Sequence, residues 1–402
     1  EACCYSEARC GEEACCCCNE ARCCREEARC AEADRPEESG ARSSERRGVE
    51  VSRPIAEDTA TQALPMRLFR GAQDRRHAKA LQDQLELIEA GLLENLGFAS
   101  AVADAPARYL LDAGGKRIRP MLTLLASELG EGPNELVRQA AQAVEITHLA
   151  SLYHDDVMDD AKLRRGVPAA QTVWSNSIAI LAGDLLFARA STLVSGMGEE
   201  AILLQARTFE RLCLGQLHET VGPQPGDEPI AHYLQVLADK TGALIACAAR
   251  MGVMFGRGPI EYADPVMEYG ERIGVAFQLI DDVIDLSPKK EQTGKRAGTD
   301  LRAGVATLPT LLLRERAAQG NVADAALLAS IDAGVQAIAE GADPALLDPE
   351  VEALRAHEVT RETEATARRW AEDAVRALEV LPKSSVKRAL ERMAESIVSR
   401  EG

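Results

Sequence analysis

From about Ala78 onward, apolar residues recur at spacings of three and four among abundant Ala, Leu, Glu and Arg. That is the period of helices that bury one face. Strict alternation of apolar and polar positions, the mark of a half-buried strand, is scarce. The pattern predicts helices near 79–97, 171–195, 199–220, 230–255, 322–340 and 384–399. Asn134 is placed to cap a helix running towards Asp160, while Asp264 with Pro265 at the first helical position opens one that runs to Leu286, just before Ser287 and Pro288. The expected fold class is therefore all-α, a bundle of about ten or more helices.

The pattern fails at the N-terminus. "EARC" occurs at Glu7, Glu20 and Glu27, "CCCC" spans Cys15 to Cys18, and large apolar residues are almost absent from the first 50 positions. Such a segment cannot offset its ordering entropy by burial, so residues 1–75 are expected to form a low-complexity, Cys-rich, disordered extension and residues 76–402 the helical domain. Cys15 and Cys18 form a CxxC, but no histidine lies nearby and the crowding is irregular, which disfavours a zinc site.

Composition narrows the partners. The chain of 402 residues is 46% hydrophobic with net charge −18, so its overall balance supports neither nucleic acid nor an anionic membrane as a partner, and any anionic ligand must be held by local cations. No uncharged apolar run long enough to span a bilayer and no secretory signal peptide is read from the sequence. Ten of the twelve cysteines fall in the first thirty residues, leaving Cys213 and Cys247 in the body. With no disulfide framework there, a reducing cytoplasm is expected.

Chemistry concentrates where helices end. "LYHDDVMDDAKLRRG" closes one predicted helix with Asp155, Asp156, Asp159 and Asp160, and "FQLIDDVIDL" closes another with Asp281, Asp282 and Asp285. Carboxylates at a helix C-terminus face the negative end of the macrodipole, where Lys or Arg would be preferred. In each cluster, spacings of i, i+1 and i+4 put the first and third carboxylates on one face, one turn apart. Two such ends facing each other across a cavity are unfavourable unless cations bind between them. Oxygen-only ligands favour a hard ion, and Mg²⁺ binds through a few carboxylates, waters and substrate phosphates. A di-iron bundle would need Glu and ExxH pairs on facing helices, and the core helices have none.

Cations suited to diphosphate lie elsewhere. "GGKRIRP" places Lys116, Arg117 and Arg119 after two glycines and before Pro120, at what reads as a helix N-terminus. Arg164 and Arg165 follow the first acidic cluster, Lys240 and Thr241 form a "KT" pair, and Lys295 lies in "TGKRAGTDLRAG". Each alone reads as surface charge. Together with the acids they describe a site for more than one diphosphate.

In this order, "GGKRIRP", "HLASLYHDDVMDDAKLRRG", "DKTG", "FQLIDDVID" and "TGKRAGTDLRAGVATLP" resemble the trans-type isoprenyl diphosphate synthases, the polyprenyl synthetase family, over about Leu81 to Arg400. The resemblance implies an all-α fold around a central cavity, a homodimer, and condensation of isopentenyl diphosphate with an allylic diphosphate. It implies Asp155, Asp159 and Asp281 as principal Mg²⁺ ligands, with Asp156, Asp282 and Asp285 supporting them and Asp285 itself a candidate ligand. Arg164, Lys240 with Thr241, and Lys295 would hold the allylic diphosphate; Lys116, Arg119, His148 and Arg165 would hold isopentenyl diphosphate; Phe277 and Gln278 would line the reacting region. Loss of the diphosphate leaves an allylic cation, and the released diphosphate can take the final proton, so no protein base is required.

Two details refine the expectation. Many members of the family carry a lysine where this chain has Val305, and Lys295 or Arg302 are the cations near enough in sequence to substitute. Ser151 and His148 fall one and two turns before Asp155, with Ala150 beside them, and small residues here point by resemblance to a medium or long product of roughly six to ten isoprene units for quinone side chains. The alternatives are a short-chain farnesyl or geranylgeranyl diphosphate synthase and a non-catalytic partner subunit, the latter disfavoured by two intact acidic clusters. A terpene cyclase would leave "GGKRIRP" without a role. A transient membrane contact for product release accompanies the long-chain expectation.

Overall fold

The computed structural model describes residue 68, residues 72–287 and residues 296–400. The cysteine-rich segment and Lys295 lie outside the described residues. In chain order the helices are α1 (Ala72–Asn95), α2 (Ala101–Asp112), α3 (Ile118–Ser127), α4 (Glu135–Met158), α5 (Ala170–Val173), α6 (Asn176–Ser195), α7 (Glu199–Val221), α8 (Pro229–Leu237), α9 (Ala243–Phe255), α10 (Ala263–Asp285), α11 (Thr299–Arg302), α12 (Leu308–Ala318), α13 (Val322–Ala339), α14 (Asp348–Ala356), α15 (Glu358–Ala377) and α16 (Ser385–Val398). One antiparallel pair, β1 (Leu163–Arg164) and β2 (Val167–Pro168), is the whole of the sheet among the described residues. The all-α expectation holds.

The centre is set by which helices lack a polar face. α9 is buried throughout except at Arg250 and Met254, and α3 is buried from Pro120 to Ser127, so both must be surrounded by other helices. α4 and α10 pack around them, α6 covers α4, and α15 covers α10. Small residues allow the close approach: a Cβ on Gly274 would stand 2.7 Å from the Cα of Gly242, and one on Gly270 would stand 2.8 Å from the Cα of Ala246. The two acid-tipped helices, α4 and α10, therefore share α9 as a common support.

Helix ends follow local chemistry. The Asn134 side chain accepts the Val137 N–H at 3.0 Å, the expected cap of α4. α10 departs from expectation: it starts at Ala263 without a side-chain cap, because the turn Ile260–Tyr262 feeds directly into it, and the Asp264 carboxylate is occupied by Arg250 instead. The predicted helix 230–255 is interrupted by a π-turn at Ala238–Gly242, and 171–195 is broken at Trp174 and Ser175. α2, α12, α14 and α15 lay outside the sequence pattern. α15 buries Val359, Thr360, Thr363, Ala367, Ala371 and Ala374, with Trp370 and Val375 partly buried beside them.

Among the described residues α6 and α13 are long and apolar enough to cross a membrane by length and composition, but neither is an uncharged run. Each carries two charged residues, Asp184 and Arg189 in α6 and Asp324 and Asp332 in α13. In α6 the apolarity is explained in part by packing, since Ala179, Ala182, Gly183, Leu186, Ala190 and Val194 are buried in the bundle.

The α9–α10 seam is a checkable constraint. Gly270→Val would drive side-chain atoms into the Ala246 backbone and should destabilise the domain by about 1–3 kcal/mol or more. Thermal unfolding should show a lower midpoint, and an unchanged midpoint would show that the seam has slack.

Candidate active site

The first acidic cluster is shaped by how α4 stops. Asp159 is the C-cap, Asp160 takes φ of 47°, and the Ala161 N–H turns back to the Asp156 carbonyl at 2.9 Å, the wide closing bond of a left-handed helix end. The chain then runs into β1 and reverses through Arg165 and Gly166, at φ of 52° and 80°. Positive φ at both central residues is the hairpin geometry that suits the strand twist. This reversal returns Arg164 to α4, where its Nε donates to Asp156 Oδ1 at 2.7 Å. Asp156 is fully buried, whereas Asp159 and Asp160 are exposed, Asp160 pairing with Lys162. Asp155 is half-buried, and its carboxyl is pushed up to about 6, chiefly by burial, with Lys240 and Arg164 opposing and Asp159 and Glu219 adding to the rise.

Beside this cluster the cations divide into two roles. Gly114 and Gly115 have φ of 90° and 152°, and Arg117 follows at 48°, a turn that inserts Arg117 into the core. Its guanidinium donates to both oxygens of Glu89 at 2.8 Å and to Glu145 at 3.2 Å, so Arg117 is a structural ion pair and is removed from the expected anion-binding set. A Cβ on Gly115 would meet both the Arg117 and Arg165 guanidinium groups, so only glycine permits their stacking. Arg165 donates to the carbonyls of Leu110 and Gly114. Arg119 has a buried Nε without a hydrogen-bond partner, and burial pushes its guanidinium down to about 10. His148 is held neutral, well below its ordinary value, first by burial and then by Arg119, Arg165, Arg164 and Arg117. With Glu89 and Glu145 both on Arg117, the pocket around His148 is rich in positive charge and suited to an anion. Lys116 lies exposed at its edge.

The KT pair sits on the π-turn, where the Ala243 N–H reaches back to the Ala238 carbonyl. Such widened turns recur at functional sites because they re-aim side chains. Lys240 donates to Glu219 of α7 and acts on Asp155, while Thr241 is half-buried beside it. Glu219 bears on the ionisation of both Asp155 and the Tyr233 hydroxyl. Tyr233 in turn donates to Asp282 at 2.6 Å. The ends of α4 and α10 thus lie on either side of one Lys240–Glu219 pair.

At the second cluster, Asp282 is buried and also accepts the Leu308 N–H at 3.1 Å, which anchors the start of α12; its carboxyl is pushed up to about 7, chiefly by burial, against these two hydrogen bonds. Asp285 is buried and accepts the Asp300 N–H at 3.0 Å, so one oxygen of this candidate ligand fixes the segment leading into α11. Asp281 is more exposed and pairs with Arg400 at 3.1 Å, and that guanidinium covers the Phe277 ring at 4.5 Å. Gln278 is half-buried on the same helix. Among the described residues no three His, Cys, Asp or Glu side chains form a ready cage for an ion. Asp155, Asp159, Asp281 and Asp285 offer only oxygen donors, the type that suits a hard ion also taking water and phosphate oxygens.

The cavity-facing expectation for Ala150 and Ser151 separates on inspection. Ser151 is half-buried and lies about 40° around α4 from Asp155, whereas Ala150 is fully buried, about 140° around and turned towards α6. Arg302 cannot stand in for a lysine at Val305, because its guanidinium is committed to the Ala297 and Pro344 carbonyls and to Asp348. Val305 itself is exposed. Glu219, Tyr233, Arg211 and Arg400 were not foreseen; each acts through a partner distant in sequence, and no local motif announces it.

Comparison with known proteins agrees with this geometry. Residues 100–338 match the family model of the polyprenyl synthetases. A nonaprenyl diphosphate synthase of Mycobacterium tuberculosis is 38% identical over 82% of this chain and 96% of its own length. Heptaprenyl diphosphate synthase component 2 of Geobacillus stearothermophilus is 32% identical over 80% and 97%. In three dimensions, a polyprenyl synthase from Caulobacter crescentus, solved with calcium and isoprenyl diphosphate, superposes with a TM-score of 0.73 at 30% identity, covering 84% of this chain and 98% of the other. A decaprenyl diphosphate synthase from Rhodobacter capsulatus gives 0.70 at 29% identity, over 81% and 98%. The chain belongs to the polyprenyl synthetase family. It is an enzyme of prenyl transfer.

The raised carboxyls set a pH dependence. Asp155 and Asp282 hold their protons more tightly folded than unfolded, so their contribution to stability is full below about pH 4 and is lost as pH rises through about 6 to 7. A divalent ion bound at Asp155 would compete with its proton. The rise in unfolding temperature caused by such an ion should therefore be small at pH 5 and grow towards pH 8; an equal rise at both would show that these carboxylates do not bind it.

Proposed function

We propose that this chain is a Mg²⁺-dependent synthase that extends an allylic diphosphate with isopentenyl diphosphate to a medium or long trans-polyprenyl diphosphate for a quinone side chain. The observation that carries the reading is the pairing of two carboxylate-tipped helices about Lys240–Glu219 with a separate arginine pocket around His148. One region suits a diphosphate bound with ions, the other a diphosphate bound by guanidinium groups alone. The calcium and isoprenyl diphosphate named for the Caulobacter crescentus enzyme support a divalent ion here.

Asp155, Asp159, Asp281 and Asp285 would hold Mg²⁺, which when bound supplies charge neutralisation for the departing diphosphate. Arg164 and Lys240 approach the same group from the α4 side, with Lys295 assigned there by resemblance. Arg119, Arg165, His148 and Lys116 orient isopentenyl diphosphate so that its double bond meets the allylic carbon. The allylic C–O bond breaks, a C–C bond forms, and the proton lost from the condensed product passes to the released diphosphate. His148, held neutral, can donate one hydrogen bond without adding a full charge.

The relatives named for nonaprenyl, heptaprenyl and decaprenyl products support the longer chain lengths, as does the small Ser151 on the Asp155 side of α4. A homodimer is supported by the apolar face of α6 and α7, where Ile180, Leu181, Leu185, Ile202, Phe209 and Leu214 are exposed. A monomeric mass by light scattering would remove that part. The free thiols of Cys213 and Cys247 support a cytoplasmic setting.

Purified protein with isopentenyl diphosphate, Mg²⁺ and allylic starters of several lengths should yield a ladder of prenyl diphosphates, and a chelator should abolish it. Asp155→Asn or Asp281→Asn should lower kcat by about 10²–10⁴-fold with the fold intact. Ser151→Phe should shorten the products. An inactive wild type overturns catalysis, and an unchanged ladder in Ser151→Phe overturns this wall as the length determinant.

A further inference from the structure

Resting on the reading of Lys240 as a ligand of the allylic diphosphate, we propose that Arg211 of α7 is the positioning residue that keeps Lys240 available to it. The difficulty it resolves is a surplus of carboxylates. The π-turn places Asp239 directly before Lys240, Glu271 of α10 abuts the turn at Gly242, and Glu219 lies one helical stretch along α7. Three carboxylates surround two cations, and an ammonium on a flexible stem will settle on whichever carboxylate is unpaired.

Arg211 takes two of the three. Its Nε donates to Asp239 Oδ1 at 2.7 Å and its Nη1 to Glu271 Oε2 at 2.6 Å, a fork that a lysine cannot reproduce. The second oxygen of Asp239 accepts the Gln235 side chain at 2.8 Å, so this carboxylate, 12% exposed, is satisfied on both oxygens. Lys240 is left with Glu219, whose side chain is 38% exposed and stands beside Asp155. The Glu219 carboxylate is more open than that of Asp239 and can yield Lys240 to an incoming diphosphate.

The turn itself cannot slide to find another arrangement. A Cβ on Gly215 would lie 2.7 Å from the Lys240 backbone nitrogen, and the Gly274 counterpart would lie 2.7 Å from the Gly242 Cα. α7 and α10 grip the turn from opposite sides, and Arg211 spans the same two helices through charge. Its guanidinium thereby separates the Asp239 side of the turn from the Lys240 side.

The test measures KM for each substrate separately, together with calorimetric affinity for inorganic diphosphate in Mg²⁺, which does not depend on turnover. Arg211→Met should raise the allylic KM by about tenfold or more and weaken diphosphate to match, while the KM for isopentenyl diphosphate stays within about twofold. Adding Asp239→Asn and Glu271→Gln removes the competing charges and should restore both values, whereas Arg211→Lys should be only partly effective. A role in folding alone would lower the unfolding temperature without separating the two substrates. The proposal is overturned if both KM values rise together, or if the triple variant, folded, stays as impaired as Arg211→Met. Where Arg211→Met does not fold, the triple variant is compared with the wild type, and a raised allylic KM overturns the proposal. A wild type that forms no C–C bond counts against prenyl transfer, and the diphosphate affinities still decide on Arg211.

Discussion

Two helices that end in carboxylates, each at the negative end of its own dipole, cannot be held together by their own charge. Neither α4 nor α10 has a basic residue in its last turn. The fold meets this constraint by giving the members of each cluster different work. Asp156 and Asp282 are turned inward, where Arg164 pairs with one oxygen of Asp156 and Tyr233 with the Leu308 N–H holds Asp282. Those two carboxylates tie the hairpin and α12 to the helix ends. Asp155, Asp159 and Asp281 remain on the outer side, and their repulsion is what an ion would relieve.

The cations show the same division. Arg117 is spent on Glu89 and Glu145 within the core, while Arg119 and Arg165 have no ion pair with a carboxylate among the described residues. A chain with net charge −18 thereby maintains a positive pocket. Structural ion pairs and ligand cations differ here by burial and partner, not by residue type. Gly115 is the steric condition for the arrangement, since any side chain would force the two guanidinium groups apart.

What could be read from the sequence follows this physics. Long helices with large apolar stripes, α4, α6, α7 and α10, were legible from their period, and so was the cap at Asn134. α15 was not, although its face keeps helical spacing: Thr and Ala carry most of it beside Val359 and Trp370, and neither type marks a core on its own. The two acidic clusters were legible because chemistry forced an unfavourable residue type onto helix ends. The structural role of Arg117 was not legible, since "GGKRIRP" presents three cations alike and only the left-handed backbone at Arg117 sends it inward. Glu219, Tyr233 and Arg400 carry no local pattern; their roles exist only through residues brought near by folding.

The membrane of contacts around α9 joins these observations. α9 has almost no polar surface, so α4 and α10 must approach it closely, and glycine at 242, 270 and 274 removes the side chains that would hold them apart. Close approach brings the acid-tipped ends to one region, but it also traps the backbone that precedes α9. That backbone widens into the π-turn carrying Asp239, Lys240 and Thr241. The same packing that concentrates negative charge therefore delivers the lysine that faces it. Charge repulsion and its partial compensation meet at the α9–α10 seam, where glycine at 242, 270 and 274 lets the backbones approach closely.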